Sequence, residues 1–330
     1  MNLSDTSLTE RIWKRALLLT AIAVAIISGV SVWLTWHTSA DTIARLSFFA
    51  IAPIFVAALI SYSLRSVRFF YFLGRSGIAI SLRDAIIVQT VGYSLSVTPG
   101  RLGEVFKLHM IRERTGASAV QTAPLVILDR LTEGGGFAVL AIVSAFMVPE
   151  LKALVPSPWL VLLGLGVLFI FALTRDRWSR LAISPSQWIE SRLGRLAPYW
   201  PRFWQGMRTG FTLTQIAGGL GLTVVARFAD GFVVLMAAQI MGVGLSLPQA
   251  ILVLTISGLA GGFSFLPVGV GATEATMTGL LVLLGAPLSN ALAITLLTRL
   301  GTLWLWVGLG LVVAFWLRLS PFVPKQDSPP

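Results

Sequence analysis

Cysteine is absent from the 330 residues, and charge is scarce, with only 12% of residues Asp, Glu, Lys or Arg. The first absence excludes disulfides and thiolate metal sites. The second excludes an ordinary soluble domain, where about a quarter of residues are charged. His37 and His109 are the only histidines, too few for a His-built metal centre. No metal-ligand set or cofactor motif remains, so the sequence implies neither. Acid is the scarcer sign, at 14 residues against 25 Lys and Arg, for a net charge of +11. Such an excess can signal nucleic acid, but here the cations sit in short segments between long apolar runs, the pattern by which a membrane protein marks its cytoplasmic side.

Apolar residues are abundant, at 55% of the chain with a mean hydropathy of +0.83. A bilayer crossing needs about 20 of them in a row. Clean candidates are Ala16–Trp36, Ile43–Leu64, Trp159–Thr174 and Leu288–Leu317. Ala117–Val148 and Thr209–Val243 are long but carry internal charges. The first run follows Arg11, Lys14 and Arg15 like a signal peptide. It is too long for a signal h-region, and Thr38-Ser39-Ala40 is a poor cleavage site, so a retained helix is expected.

Two further apolar stretches, Ser81–Arg114 and Leu247–Leu284, are broken in the middle by Pro and Gly. Positive-inside counting places the N-terminus, the Arg65–Arg83 segment, Arg112, Arg114, the Arg175–Arg208 loop and the C-terminal tail in the cytoplasm, leaving Arg45 and Lys152 outside. That assignment works only if the broken stretches enter and return on the same side as re-entrant hairpins. Irregular backbone at such tips is tolerable only when buried in protein or facing a cavity.

The two hairpins resemble each other at a separation of about half the chain. Gly92-Tyr93-Ser94 matches Gly262-Phe263-Ser264, and the run Pro99 to Glu104 loosely matches Pro267 to Glu274. Gly116-Ala117 precedes Arg130-Leu131 by the same interval as Gly285-Ala286 precedes Arg299-Leu300. Charge gives the copies opposite orientations. The expected fold is an all-α polytopic membrane protein of about six transmembrane helices plus two re-entrant helical hairpins in an inverted repeat. It forms a single membrane domain over 1–330, with halves at about 43–148 and 209–317 and a cytoplasmic amphipathic loop at 175–208. In such repeats the site lies between broken helices near the midplane.

Charges at membrane depth are unfavourable by at least a few kcal/mol unless paired or hydrated. Those expected there are Glu104, Lys107, Asp129, Arg130, Glu133, Arg227, Asp230, Glu274 and Arg299. Arg130 lies beside Asp129 and one turn from Glu133, so it either neutralises them or binds a ligand. Arg227 and Asp230, at i and i+3, form an expected structural pair. Arg299 has no acid nearby in sequence, so its partner comes from elsewhere in the fold or from a ligand. Second half-helices are expected to start near Gly103 and near Thr273, with Thr273 as N-cap. Free N–H groups at helix N-termini bind phosphate. Gly100, Gly103, Gly269 and Gly271 let backbone approach closely, and Arg130 and Arg299 add bidentate donors. The implied ligand is a lipid phosphate. Burial also favours the protonated carboxyl, which makes Glu104 and Glu274 candidates for proton exchange. His109 is expected to be a satisfied interface residue rather than a base. In the cytoplasmic loop, Ser184-Pro185-Ser186-Gln187 reads as a capping box before an interfacial helix carrying Trp188, Ile189, Leu193 and Leu196.

The segments Ser94 to Lys107 (SLSVTPGRLGEVFK, including Arg101), Leu128-Asp129-Arg130-Leu131, Leu266 to Glu274 (LPVGVGATE) and Leu297-Thr298-Arg299-Leu300 together resemble the lysylphosphatidylglycerol synthase transmembrane-region family of flippase-like membrane domains. The resemblance spans nearly the whole chain. It implies translocation of a lipid between leaflets, whether an anionic phospholipid or a polyprenyl-phosphate-linked lipid, and no enzymatic reaction of the chain's own. The family's namesake carries a soluble aminoacyl-transferase domain after the membrane part. The sequence up to Pro330 has none, so synthesis of lysyl-phosphatidylglycerol is not expected and the lipid stays open. The expected location is the inner (plasma) membrane with both termini cytoplasmic. A homodimer, or a glycosyltransferase or synthase partner, is compatible with the sequence, whereas nucleic acid is not. The competing classes are a membrane enzyme acting on lipid phosphates and a non-transporting partner of a glycosyltransferase. The latter would have its intramembrane charges fully paired with no cavity left.

The topology is directly testable because the chain has no native cysteine. A cysteine replacing Ser157 is expected to react with an impermeant maleimide from outside, and one replacing Ser191 only from inside. External labelling of a cysteine at Ala117 would refute the first hairpin.

Overall fold

A computed structural model describes residues 48–97, 102–149, 199–264 and 267–319, together with Gly166, Leu173 and Thr174. The expected first crossing, most of Trp159–Thr174, and the loop helix after Ser184 lie outside the described residues. All described elements are helical. In chain order they are α1 (Phe48–Arg75), α2 (Leu82–Leu95), α3 (Leu102–Thr115), α4 (Ala119–Met147), α5 (Trp200–Gly210), α6 (Leu213–Ile240), α7 (Leu247–Phe263), α8 (Ala272–Leu283), α9 (Leu288–Arg299) and α10 (Leu305–Leu319). A π turn, Leu300–Trp304, joins the last two.

Among the described residues, three helical stretches are long and apolar enough to cross a membrane: Phe49–Arg75, Leu213–Ile240 and Leu288–Leu317. At 29 residues α4 has the length too, but Asp129, Arg130 and Glu133 interrupt its apolar run. The 14 residues of α2 and of α3 reach only about 21 Å at 1.5 Å per residue, well short of a bilayer core of about 30 Å. The 12 residues of α8 reach about 18 Å. The first broken stretch is therefore a pair of half-length helices, and the second pairs a short α8 with an α7 whose 17 residues reach about 26 Å; both break where Pro and Gly interrupt the apolar run. Ser81 and Ser246 cap the entering helices by accepting from Asp84 N and Gln249 N. Gly116 and Gly285, which end α3 and α8, both have positive φ.

The distribution of side chains is inverted relative to a water-soluble protein. Phe55, Leu59, Phe146, Phe228, Val312 and Phe315 are exposed, while Arg65, Arg68, Lys107, Asp129, Arg227 and Asp230 are buried. A continuous apolar exterior of this kind fits hydrocarbon as the surrounding solvent. The protein is a polytopic helical membrane protein.

The two halves pack by exchange. Helices α1 and α6, each 28 residues, run antiparallel through the centre. Arg65 meets Asp230, Arg68 meets Thr223 and Phe72 meets Gly219, so the numbering rises on one helix as it falls on the other. Helix α2 lies along α10, where Gly310 touches the Thr90 carbonyl and Ser94. Helix α7 correspondingly lies along α4, where Gly258 touches Phe137. Each hairpin thus rests on the last long helix of the other half.

Three sequence expectations need correction. The second crossing does not end at Leu64, because α1 continues to Arg75. Arg65 and Arg68 consequently lie inside the bundle, not in a cytoplasmic segment. The cause is an apolar stripe that persists past Arg65. Ile54, Ala58, Tyr62, Arg65, Phe69 and Phe72 are all buried at steps of three and four residues, one helix face. Second, α6 begins at Leu213, with Thr212 as its N-cap accepting from Gln215 N, so Thr209 belongs to α5. Third, the last crossing is not one regular helix, since the π turn interrupts it directly after Arg299.

Arg68 and Asp129 pin α1 to α4. Arg68 Nε and Nη2 both donate to Asp129 Oδ1, at 3.0 and 2.7 Å, and both side chains are essentially inaccessible. Removing one partner of a buried pair leaves a bare charge and costs about 3–5 kcal/mol. Asp129→Ala is therefore expected to lose most folded protein by size-exclusion chromatography. Within the first hairpin, Gly103 of α3 sits against the Gly92 carbonyl and Ser96 of α2 with no room for a Cβ. Gly103→Val is expected to lower thermal stability by about 1–3 kcal/mol. Gly279→Ala, where nothing stands within 4 Å, is expected to be neutral in the same melt.

Candidate functional site

A cavity of about 340 Å³ lies between residues of both hairpins and of the long helices around them. The first half contributes Tyr93 and Ser96 of the first hairpin, Glu104 of α3, and Arg130, Glu133 and Phe137 of α4. The second contributes Arg227 and Asp230 of α6, Val268, Gly269 and Thr273 of the second tip, and Arg299 of α9. The expected site residues Glu104, Arg130, Gly269, Thr273 and Arg299 are thus gathered in one place, and the expected structural residues Glu133, Arg227 and Asp230 line it as well. Lys107, Asp129, Gly103, Gly271 and Glu274 are not among its lining residues. Gly100 and Arg101 lie outside the described residues.

The charges around the cavity form one connected chain. Arg65 pairs with Asp230, whose Oδ2 also accepts from Arg227 Nη1 at 2.8 Å. Arg227 reaches on to Glu133, and Glu133 Oε2 accepts from Arg130 Nη1 at 2.9 Å. Arg130 Nη2 donates to Glu104, and Glu104 faces Lys107 Nζ at 3.5 Å. Lys107 in turn lies 3.9 Å from Asp129, the partner of Arg68. Five cations (Arg65, Arg68, Lys107, Arg130, Arg227) meet four carboxylates (Glu104, Asp129, Glu133, Asp230), which leaves one cation in excess. The Arg227 guanidinium also lies 4.1 Å from the Phe137 ring centroid, a desolvated cation–π contact. Its buried Nε makes no hydrogen bond.

The second half carries a separate pair. Arg299 Nε donates to Glu274 Oε1 at 2.6 Å, and Nη2 reaches the Val268 carbonyl at 3.3 Å. Glu274 is thus the acid that sequence proximity did not reveal for Arg299. The matching pair in the first half is Arg130 with Glu104. In both halves a glutamate in the first turn of the second half-helix holds the arginine of the following long helix.

Several residues do something other than expected. Thr273 is not the N-cap of α8. Gly271 is, at φ 85°, and Glu274 Oε2 folds back to accept its N–H at 2.6 Å. That N-terminus is therefore already met by the protein's own carboxylate. Arg130 does not neutralise Asp129, which points to Arg68 instead. The close approach at Gly103 is to α2 and not to a ligand. Gly269 has φ +66°, and its backbone touches Gly261 of α7, a position where a Cβ fits neither the conformation nor the space. His109 pairs with Glu113 at 3.0 Å on a partly exposed face and is not among the cavity-lining residues. Sequence reasoning missed Arg65 and Arg68 entirely. The signal that finds them is the apolar stripe continuing through and beyond them.

No curated protein matches the chain. A family model does, over residues 20–310, a span that includes both hairpins and every residue of the charge network. The chain belongs to the family described as lysylphosphatidylglycerol synthase TM region.

Proposed function

We propose that the protein is a flippase that moves an anionic, phosphate-bearing lipid between leaflets, a phospholipid or a polyprenyl-phosphate-linked lipid. One observation carries this reading: Arg130 and Arg299, at matching places in the two halves, line the same cavity. The charges that line it balance, three arginines against three carboxylates, so its affinity for an anion rests on the guanidinium forks of Arg130, Arg227 and Arg299. At about 340 Å³ it has the size of a small-molecule site, which starts at about 300 Å³. It holds a headgroup while acyl chains stay in the bilayer. The membrane family supports a lipid-related role. The chain binds and moves its lipid without altering it, in the inner membrane with both termini cytoplasmic, alone, as a homodimer, or beside a glycosyltransferase or synthase.

The non-transporting scaffold reading calls for intramembrane charges paired among themselves with no cavity. Here the charges do pair, yet the cavity persists beside them, which favours transport. An arginine presents a planar fork of donors that a lysine cannot reproduce. Arg130→Lys and Arg299→Lys are each expected to slow translocation about tenfold to hundredfold, the loss of one charge-assisted contact, while both variants still elute as folded protein. The measurement uses phosphatidylcholine vesicles carrying an acyl-labelled phosphatidylglycerol or, in parallel, a labelled polyprenyl phosphate. Wild-type rates in both lysine variants would overturn the proposal.

A further inference from the structure

Lys107 is the anomaly of the charge chain. It is fully buried on α3, one turn after Glu104, and its amine makes no hydrogen bond. Glu104 Oε2, 3.5 Å away, makes none either. The two opposite charges thus form only a long ion pair, about 0.6 Å beyond an ordinary N–H···O length, and the amine's other neighbours, Asp129 Oδ2 at 3.9 Å and the Phe69 ring centroid at 5.4 Å, are no closer. The other oxygen of Glu104 is held by Arg130, and both residues line the cavity. Leaving a buried donor and a buried acceptor without a hydrogen bond is unfavourable, and closing this contact would relieve both at once.

We infer that Glu104 is an internal stand-in for the ligand's phosphate, occupying Arg130 while the site is empty and swinging onto Lys107 when an anion arrives. This rests on the anionic-lipid reading above and deepens it. The exchange makes and breaks only hydrogen bonds and ion pairs. Before it, Glu104 neutralises Arg130 and Lys107 has only its long ion pairs to Glu104 and Asp129. After it, the phosphate neutralises Arg130 and Glu104 satisfies Lys107. Neither state leaves a bare carboxylate in a low-dielectric interior, the condition that makes a buried charge tolerable. Arg130 keeps its second carboxylate, Glu133, at 2.9 Å throughout, which holds the guanidinium in place during the swap.

The device belongs to one half only. In the second half, Met277 stands one turn after Glu274, so there is no waiting amine. Both oxygens of Glu274 are also already engaged, by Arg299 and by Gly271 N. Glu274 is therefore a positioning residue that steadies Arg299 from behind. An anion meets Arg299 directly but gains Arg130 only by displacing Glu104. The two otherwise matching arginines are thus unequal, and Glu104 sets how tightly the first-half side holds its ligand.

The test titrates short-chain phosphatidylglycerol against the full chain in detergent, with binding read by thermophoresis. Glu104→Gln, which keeps the shape and removes the competing charge, is expected to bind the probe about tenfold more tightly. Lys107→Met, which removes the landing place, is expected to weaken binding about tenfold in the wild-type background. In the Glu104→Gln background it is expected to change binding by less than about twofold, a non-additive cycle. Unchanged affinity in Glu104→Gln overturns the inference, as do equal losses from Lys107→Met in both backgrounds, the pattern of a merely structural lysine. If Lys107→Met does not fold, Glu104→Gln alone decides. Tighter binding by Glu104→Gln with no lipid movement in wild-type vesicles would refute translocation and leave the stand-in role intact. Lipid movement with unchanged Glu104→Gln affinity would refute the stand-in role alone.

Discussion

A charge inside a bilayer-embedded bundle is tolerated only when another charge answers it, and the arrangement of this protein follows from that constraint. The chain of contacts from Arg65 through Asp230, Arg227, Glu133, Arg130, Glu104 and Lys107 to Asp129 and Arg68 ties together α1, α3, α4 and α6. Those four helices come from both halves of the molecule. Apolar packing between helices cannot supply this selectivity, because lipid tails are as apolar as leucine. The ion pairs choose which helices meet, and small residues such as Gly136 and Gly219 let them approach.

The same network makes the two halves unequal. Their geometry is reciprocal, with each hairpin lying on the other half's last helix and each first-turn glutamate holding an arginine. Their chemistry is not. The first half embeds its arginine among two carboxylates and a buried lysine. The second half holds Arg299 with one carboxylate and a carbonyl, next to threonines such as Thr278 and Thr295, which pair at 3.0 Å. The second half's other pair, Arg227 and Asp230, is drawn into the first half's network, so Arg299 stands apart from the charge chain to which its counterpart Arg130 belongs.

Much of this was legible in the sequence where local rules apply. Proline and glycine within otherwise apolar stretches mark where α2 and α7 stop, because no continuous helix accommodates them at those positions. The equal spacing of Gly116 to Arg130 and Gly285 to Arg299 marks corresponding places in the two halves, and Glu104 and Glu274 stand at corresponding tips. What stayed hidden was pairing across the fold. Counting cations by segment treats Arg65 and Arg68 as loop residues, because a count does not distinguish an arginine facing water from one facing Asp230 or Asp129. The partner of Arg299 was hidden for the same reason, since 25 residues and a reversal of the chain separate it from Glu274. Thr273 looked like the N-cap because threonine usually is one, whereas the tip needed positive φ at that point and placed Gly271 there.

The inverted burial pattern also bears on heat. When a water-soluble protein unfolds, newly wetted apolar surface raises its heat capacity strongly and bends its stability curve. Here Phe55, Phe146, Phe228 and Phe315 already face outward and stay in hydrocarbon or detergent. Opening the bundle instead uncovers guanidinium and carboxylate groups, whose hydration lowers the heat capacity. The two contributions oppose each other. The temperature dependence of stability is therefore expected to be flatter than that of a soluble helical protein of the same length.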